Sequence, residues 1–500
     1  MLDQSTESSS AALAALDGQV FDLVVIGAGI SGLNALYAAA DYLPKDASVL
    51  LLDQKAAPGG MWNTAYDYVR LHQPHPMFTV GDLKWDWSKP RDYLAARDEV
   101  QAHLSSSLSA VREKVNLQTG FQHTVASCDE IETDQGPMAE IVFHPNKNDA
   151  AQRTVRAKKA VHASGLNYQL AAPLPLSSQS VVSIIPQNLR ATLNRNQDAP
   201  VVVVGGGKTG MDTVLATLAA NPTRSVTLIQ GTGTNFFNRT KFVPNGLKRW
   251  TSGELISRVF RDVALMNTGD NEDEALAMFR RKYATDPTAA HGAFLYGLQS
   301  EEELSKIKAG VTQNYSDYLE DVTDTPDGTQ MAMRSGAQIA VTKGTIFVNC
   351  TGSFFRATTL FKAGPILSKN DCVLRINARD GFHFLTSVAG FFLTHLWFRG
   401  ELRGRGYYAL DHEDLFRKNR NAWVSASAAQ AYMNQVIAVQ NLPLMLLDRC
   451  GLDLDRWYPL PRRMTALMRM KSSATQDIAH CRRVIDRIAE RFDAHAAPLD

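Results

Sequence analysis

An α/β fold with two Rossmann-like domains is predicted by three observations in the 500-residue sequence. Two short apolar segments, residues 23–26 and 201–204, each lead directly into a glycine-rich turn and then a helix-forming segment. Short apolar, β-branched runs of this kind are typical of parallel strands that are buried on both faces. The chain is also too long for one compact core, so two or three domains are expected.

The first glycine-rich turn has the spacing Gly27-x-Gly29-x-x-Gly32 and precedes a second predicted strand, residues 48–52. Glycines at this spacing let the backbone approach a pyrophosphate, whose charge then lies at the N-terminus of the following helix. Asp53 ends the second strand, 21 residues after Gly32, where a carboxylate can accept hydrogen bonds from a ribose. The order of strand, glycines, helix, strand and acid therefore predicts a dinucleotide-binding domain.

The second turn contains Lys208-Thr209, which also suggests the end of an ATP-binding P-loop. The P-loop pattern requires a glycine at position 202, and this residue is Val202. The spacing Gly205-x-Gly207-x-x-Gly210 instead fits a dinucleotide-binding turn, again between an apolar strand and a helix-forming segment. The sequence therefore predicts a second dinucleotide-binding domain.

The strand after this second turn, residues 225–229, ends at Gln230 without an acidic residue. A carboxylate at this position favours NAD, whereas its absence removes the repulsion that the 2′-phosphate of NADP would meet. Lys208 is a candidate for a pyrophosphate contact and Arg239 or Lys241 for the 2′-phosphate, with a solvated loop as the equal alternative for the last two. NADPH is favoured over NADH. Two such turns in one chain are typical of enzymes that bring a nicotinamide to a flavin.

Several short segments around the two turns resemble the flavin-containing monooxygenases, including the plant enzymes of auxin synthesis. Gly59-Gly60-Met61-Trp62-Asn63 is similar to the GG-x-W element that follows the first ribose-binding acid in that family. The family signature expected at residues 181–191, F-x-G-x-x-x-H-x-x-x-Y/F, lacks its glycine and its histidine here. The chain is identified as a divergent member of the class B flavoprotein monooxygenases. The other similar segments are Leu71-His72-Gln73-Pro74, Ala163-Ser164-Gly165, Cys350-Thr351-Gly352 and residues 390–398.

The resemblance implies FAD on the first turn and NADPH on the second. It also implies insertion of one oxygen atom from O2 into a small organic substrate, by way of a flavin C4a-hydroperoxide. N-oxygenation, S-oxygenation and Baeyer–Villiger oxygenation all stay open. The alternative is a flavoprotein dehydrogenase or oxidase on the same scaffold, without oxygen insertion.

The resemblance implies that His72 and Gln73 are the catalytic candidates, because hydrogen-bond donors are needed beside the flavin. A structural role for His72, and core packing for Trp62, are equal alternatives. The predicted cofactor-binding residues are Gly27, Gly29, Ile30, Ser31, Gly32, Asp53, Gln54, Gly60, Met61, Trp62, His72, Gly205, Gly207, Lys208, Thr209, Gly210, Arg239, Thr351 and Gly352.

Composition argues against several other functions. The net charge of +1 gives no indication of binding to nucleic acid or to an anionic membrane surface. The five cysteines have neither CxxC nor zinc-ligand spacing, which argues against a metal site and against a dithiol disulfide reductase. Neither a signal peptide nor a membrane-spanning segment is recognised, so a cytoplasmic enzyme is expected, with homo-oligomerisation left open.

The order of these segments also predicts the domain organisation. A flexible N-terminal arm is expected at residues 1–18, and an FAD-binding domain at residues 19–170 and 336–410. The NADPH-binding domain is expected at residues 171–335, with a helical insert at about 252–329 in which Ser300 caps a helix. Residues 411–500 form the predicted helical extension.

Overall fold

The computed structural model describes residues 16–146, 152–165, 170–289, 292–352, 365–376, 386–449 and 454–499. Most of the predicted N-terminal arm, residues 1–15, lies outside these ranges. Within the described residues the chain forms two main sheets with helices packed on them, followed by C-terminal helices. The predicted α/β fold with two dinucleotide-binding domains is therefore confirmed.

The first sheet has the strand order β3-β2-β1-β6-β5-β4, with β17 paired to β6. Strands β3, β2, β1, β6 and β17 are parallel, whereas β4, β5 and β6 form an antiparallel meander. Because parallel strands end at the same edge, the glycine turn after β1 and the acid that ends β2 lie together. The strands are β1 (Val20–Ile26), β2 (Ser48–Asp53), β3 (Asn116–Phe121), β4 (His123–Thr133), β5 (Gly136–Pro145), β6 (Arg153–His162) and β17 (Val373–Arg375).

The second sheet is parallel throughout, with the order β12-β9-β8-β16-β7. Its central strands are buried on both faces, as the run of four valines in β8 predicts. A three-stranded antiparallel sheet, β13-β14-β15, follows β12. The strands are β7 (Val182–Ile184), β8 (Val201–Val204), β9 (Val226–Ile229), β12 (Gln313–Tyr315), β13 (Leu319–Thr325), β14 (Gly328–Met333), β15 (Gln338–Val341) and β16 (Ile346–Asn349).

The helices, together with two pairs of short strands, complete the fold. Strands β10 (Thr234–Asn238) and β11 (Ala293–Gln299) pair with each other, as do β18 (Tyr408–Leu410) and β19 (Ala496–Pro498). The helices are α1 (Ile30–Ala39), α2 (Arg97–Arg112), α3 (Leu189–Arg195), α4 (Lys208–Ala220), α5 (Arg239–Phe242), α6 (Ile256–Met266), α7 (Glu272–Tyr283), α8 (Glu301–Gly310), α9 (Thr386–Phe398), α10 (His412–Lys418), α11 (Arg420–Asn441), α12 (Leu444–Arg449) and α13 (Leu460–Phe492).

The structure differs from the predicted domain organisation in two places. Strand β16 lies within the expected return segment 336–410 but pairs with β8 in the second sheet. The expected helical insert contains strands as well as helices, and its helix α6 packs against α11 and α13 of the C-terminal region. Helix α6 has an apolar face, including Val259, Phe260 and Val263, and burying this face requires a partner from elsewhere in the chain.

Candidate active site

The first glycine turn is built for close backbone contact. Gly27 has a φ of +103°, and a Cβ there would lie 2.3 Å from the carbonyl oxygen of Ala163. A Cβ on Gly32 would lie 1.8 Å from the carbonyl oxygen of Gly27. Gly29 precedes helix α1, and no side chain caps the start of that helix. The turn therefore presents backbone N–H groups at a helix N-terminus, which fits a dinucleotide pyrophosphate.

Asp53 lies directly beneath this turn at the end of β2. One carboxylate oxygen accepts a hydrogen bond from the N–H of Ala28 at 2.6 Å, and the other accepts one from the N–H of Lys55 at 2.6 Å. Burial raises the pKa of Asp53, although these two hydrogen bonds oppose the shift. The carboxylate therefore holds the turn in place, and its predicted contact with a ribose stays a prediction.

The Gly59-Gly60 element packs against the first turn. The N–H of Gly59 donates to the carbonyl oxygen of Ala28 at 3.0 Å, and a Cβ on Gly60 would lie 3.0 Å from the Cα of Gly29. Only glycines permit two backbone segments to approach this closely. The resemblance to the GG-x-W element therefore has a physical reason here.

The neighbouring predicted residues have different environments. Trp62 is buried and its ring contacts Phe78 edge to face, with 5.9 Å between ring centroids. Met61 is 56% exposed. Helix α9 closes the first turn from the other side, since a Cβ on Gly390 would lie 2.3 Å from the carbonyl oxygen of Ser31. Ile30, which is half-buried, and Ser31, which is buried, lie in the first turn of α1. Gln54 is half-buried, and its carbonyl oxygen accepts a hydrogen bond from the side chain of Asn146.

The second glycine turn repeats this design. Gly205 has a φ of +126°, and a Cβ there would lie 2.7 Å from the carbonyl oxygen of Cys350. A Cβ on Gly210 would lie 1.9 Å from the carbonyl oxygen of Gly205. Gly207 precedes helix α4 with no capping side chain, and no described atom lies within 4 Å of where its Cβ would be. The open space at Gly207 fits the approach of a second pyrophosphate.

Thr351 and Gly352 follow β16 beside this turn. The N–H and the hydroxyl of Thr351 both donate to the side-chain oxygen of Asn349, at 3.1 Å and 2.6 Å. The backbone on either side of Cys350 is therefore held close to Gly205. This arrangement places the predicted Thr-Gly element at the edge of the second sheet where the nucleotide is expected.

A loop formed by residues 59–75 bridges the two turns. Its first residues pack on the first turn, while the hydroxyl of Tyr66 donates to Asp212 of α4 at 2.8 Å. The hydroxyls of Tyr68 and Thr213 lie 2.8 Å apart. Burial and the carboxylate of Asp212 raise the pKa of Tyr66, so the phenol is the donor. The loop therefore connects the two domains at the place where both turns open.

His72 and Gln73 lie on this bridging loop, and both are half-buried. The carbonyl oxygen of His72 accepts a hydrogen bond from Arg239 of the second domain at 3.1 Å. Burial, reinforced by the positive charges of Lys208 and Arg239, lowers the pKa of His72 to about 3. The imidazole is therefore neutral near pH 7 and can donate from one ring nitrogen while it accepts at the other.

The low pKa of His72 predicts a pH-dependent loss of stability. The unfolded chain binds a proton at this residue below about pH 6.5, whereas the folded chain does so only near pH 3. This difference in proton binding lowers the free energy of unfolding as the pH falls from 6.5, by up to about 2 kcal/mol at about pH 5. Between pH 7 and 5, the unfolding temperature should therefore fall less in His72→Gln than in the wild type. His495→Gln, at an exposed residue, serves as the control. Equal shifts in all three proteins would contradict the assignment.

Lys208 and Arg239 are both engaged in ion pairs. Lys208 pairs with Asp212 one turn further along α4. Arg239 pairs with Glu303 at 2.8 Å, and its side chain is only 11% exposed. Glu303 is itself fixed by a capping box, because its side chain accepts the N–H of Ser300 while the Ser300 hydroxyl accepts the N–H of Glu303. The structure therefore places Arg239 against the bridging loop, and its predicted contact with a 2′-phosphate stays a prediction.

Tyr318 and Arg334, which the sequence did not reveal as candidates, lie beside the turn that follows β9. The ring of Tyr318 lies 2.7 Å from where a Cβ of Gly231 would be, and the guanidinium of Arg334 lies 4.2 Å from the centroid of this ring. Tyr318 is 40% exposed, and Arg334 is exposed. Asp317 lies nearby, but its carboxylate already accepts the backbone N–H groups of Tyr318 and Ser335. An exposed cation therefore lies where the ribose of a bound dinucleotide is expected.

The cysteines and the other potential metal ligands do not form a second reaction centre among the described residues. Cys128, Cys350, Cys372 and Cys481 are buried and unpaired, whereas Cys450 lies outside the described residues. Burial raises the pKa of Cys350 to about 12. The described part of the chain also contains no group of three or more His, Cys, Asp or Glu side chains suited to a metal ion. No described helix is both long and apolar enough to cross a membrane.

Comparisons with known proteins agree with the two-turn architecture. Residues 21–240 match the family model of the pyridine nucleotide-disulphide oxidoreductases. An uncharacterised protein of Mycobacterium tuberculosis and one of Mycobacterium bovis are each 31% identical over 215 residues, which are 39% of this chain. The chain spans about a third of the length of these relatives, 35% in each case.

Several solved structures are similar at low identity. An ornithine hydroxylase of Pseudomonas aeruginosa gives a TM-score of 0.46 at 13% identity, covering 76% of this chain and 99% of the other. A flavin-containing monooxygenase of Stenotrophomonas maltophilia gives 0.44 at 16% identity, covering 77% and 98%. A bacillithiol disulfide reductase of Bacillus cereus gives 0.43 at 13% identity, covering 77% and 99%.

The family match agrees with the cofactors expected from the two turns. The matched family binds FAD and NAD(P), and its region includes both glycine turns. The glycines of each turn leave no room for a side chain against the neighbouring backbone, as a pyrophosphate cradle requires. Over residues 21–240, therefore, the chain is similar to the pyridine nucleotide-disulphide oxidoreductases, and its two glycine turns fit FAD and NAD(P).

Proposed function

We propose that this protein is an FAD-dependent, NADPH-reduced monooxygenase that transfers one oxygen atom from O2 to a small organic substrate. The observation that carries the proposal is the bridging loop, which packs on the first glycine turn and places His72 beside Lys208 and Arg239 of the second domain. A flavin on the first turn and a nicotinamide on the second would meet at this loop. The flavin would supply hydride acceptance and oxygen activation.

The residues of the loop would control the environment of the reaction. Gly27 to Gly32 and Asp53 would hold the flavin nucleotide, and Gly205 to Gly210 would hold the pyrophosphate of NADPH. His72 is neutral and half-buried, and among the described residues its ring has no hydrogen-bond partner. It is therefore available to donate a hydrogen bond to oxygen or substrate without releasing a proton. Gln73 is adjacent and could donate from its side-chain amide.

A disulfide reductase is the less well supported reading, although the matched family is named for that activity. Dithiol chemistry requires two cysteines close together, at least one of them with an accessible thiolate. Among the described residues Cys350 lies nearest the second turn, but it is buried, unpaired and hydrogen-bonded to the hydroxyl of Thr213 at 3.3 Å. The alternative that stays open is a flavoprotein dehydrogenase or oxidase that does not insert oxygen.

The proposal is tested by mixing purified, flavin-containing protein with NADPH, first without oxygen and then in air. NADPH should bleach the bound flavin and oxygen should restore its colour. An amine, thioether or ketone that the enzyme accepts as its substrate should lower the amount of hydrogen peroxide released per NADPH consumed. His72→Gln should raise that peroxide fraction while flavin content is unchanged. Gly207→Val fills open space beside the second turn and should abolish bleaching. Flavin that NADPH does not bleach would contradict the proposal.

A further inference from the structure

Exposed apolar side chains are concentrated in two segments of the chain. In the described residues, seven of the twelve large apolar side chains that are exposed lie at residues 246–250 and 444–468. Scattered exposed apolar residues are normal, but a contiguous patch indicates an interaction surface. We call these seven residues the apolar face: Leu247, Trp250, Leu444, Met445, Leu460, Met464 and Met468.

Hydrogen bonds hold the segments of this face together. The guanidinium of Arg462 on α13 donates to the carbonyl oxygens of Arg249 and Gly253, at 2.9 Å and 2.7 Å. Arg463 on the same helix pairs with Asp448 of α12 at 3.2 Å. The turn at residues 246–249, helix α12 and the start of α13 are therefore neighbours, although they are distant in sequence.

Two of the segments that carry the apolar face are rich in lysine and arginine. Residues 456–476 contain five lysines or arginines and no aspartate or glutamate, and the turn at 246–250 adds Lys248 and Arg249. Along α13, Leu460, Met464 and Met468 recur every four residues on one side of the helix. Apolar residues interleaved with cations are typical of helices that lie in the interface of an anionic bilayer. Exposed Trp250, 57% accessible, is the residue type enriched at that depth.

An arginine-lined cavity of about 320 Å³ lies between α6 and the first turns of α13, on a different side of α13 from Leu460, Met464 and Met468. Four arginines line it, together with one carboxylate, Asp262. Asp262 is already paired with Lys282 at 2.6 Å. Of the arginines, Arg261 pairs with Asp477 at 2.7 Å. Among the described residues no carboxylate lies within 4 Å of the guanidinium groups of the other three, Arg258, Arg462 and Arg469.

We propose that the apolar face docks on an anionic lipid bilayer and that the arginine-lined cavity receives a lipid phosphate group. The apolar side chains would enter the acyl boundary, while the surrounding lysines and arginines would contact headgroups. Guanidinium groups that share a cavity repel one another, and a phosphate relieves that repulsion through charge-assisted hydrogen bonds. The net charge of +1 over the whole chain conceals this local asymmetry. The proposal does not depend on the oxidoreductase function.

Vesicle co-sedimentation tests this proposal with the full chain. Vesicles of phosphatidylcholine mixed with phosphatidylglycerol should bind the protein, and binding should weaken as sodium chloride is raised. Vesicles of phosphatidylcholine alone should bind it far less. Met464→Ser combined with Met468→Ser should weaken binding about tenfold, since each methionine loses apolar burial. Arg258→Gln combined with Arg469→Gln should weaken binding to anionic vesicles about thirtyfold, since about 1 kcal/mol is expected per cation.

The matched control changes exposed apolar residues elsewhere. Leu170→Ser combined with Val182→Ser, at residues that are 51% and 43% exposed, should leave vesicle binding unchanged. Absence of binding to anionic vesicles, or equal loss in the control, would overturn the proposal. Light scattering measures whether the chain forms a dimer in solution. A dimer that dissociates in the Met464 and Met468 variant, without any vesicle binding, would make this face a contact between two copies of the chain. Binding of free inorganic phosphate without vesicle binding would likewise overturn it.

Discussion

Replacing Gly27 by alanine is expected to yield protein with little bound flavin. Gly27 adopts a φ of +103°, which costs an alanine about 1 kcal/mol. The new Cβ would also lie 2.3 Å from the carbonyl oxygen of Ala163, so the turn and the end of β6 must move apart. This movement displaces the backbone that is expected to contact the pyrophosphate. We expect flavin content after purification, measured as visible absorbance relative to protein, to fall by about tenfold, which corresponds to about 1.4 kcal/mol.

Gly136→Ala separates backbone strain from loss of the binding turn. Gly136 has a φ of +99°, close to that of Gly27, but no described atom lies within 4 Å of where its Cβ would be. It begins β5 at a hairpin remote from the glycine turn. The control should therefore lose about 1 kcal/mol of stability to the same backbone strain and keep its flavin. Similar flavin loss in both variants, or full flavin content in Gly27→Ala, would show that the first turn is not the flavin site.

Replacing Arg334 by glutamine is expected to weaken binding of NADP+ without weakening binding of NAD+. The guanidinium lies over Tyr318 at the end of β9, where a 2′-phosphate is expected, and it is exposed. A charge-assisted hydrogen bond contributes about 1.5–3 kcal/mol, so the affinity for NADP+ should fall about 10-fold to 100-fold. Calorimetric titration of each nucleotide into the purified protein measures both affinities.

Arg195→Gln is the matched control for Arg334, because it removes an exposed arginine from the end of α3 in the same domain. It should leave both affinities unchanged. Arg334→Lys should retain part of the preference for NADP+, since the charge stays while the planar donor group is lost. Equal weakening of both nucleotides by Arg334→Gln would mean that the residue supports the domain instead of reading the 2′-phosphate.

The glycine turns were predictable because their constraint is local. The close approach of the backbone to a pyrophosphate requires only a short stretch of chain, namely a strand followed by Gly27, Gly29 and Gly32. The same holds for the capping box of Ser300 and Glu303, whose two hydrogen bonds join residues three apart. The alternative reading of Lys208 as part of a P-loop failed on one residue, Val202, for the same local reason.

Arg334 could not be found in this way. It is 103 residues beyond Gly231, on the antiparallel hairpins β13-β14-β15, and only the folding of that sheet against the end of β9 brings the two together. The partner of Arg239 was similarly hidden, because Glu303 lies 64 residues further along the chain and reaches Arg239 only through the placement of α8. Spacing along the chain carries no information about such a partner, whereas helical spacing predicts the pairing of Lys208 with Asp212, four residues further along α4.

The amino-acid sequence alone determined that there are two nucleotide-binding turns and where they lie, because each turn is a short stretch whose glycines meet a steric requirement. It also determined that only the first turn is followed by a strand that ends in an acid. Only the tertiary structure decided which charges remain available and which surfaces remain uncovered. Arg239 becomes part of an ion pair, whereas Arg334 forms none with the described residues, and the apolar residues of α13 divide into a buried side and an exposed one. These outcomes depend on how elements distant in sequence pack together.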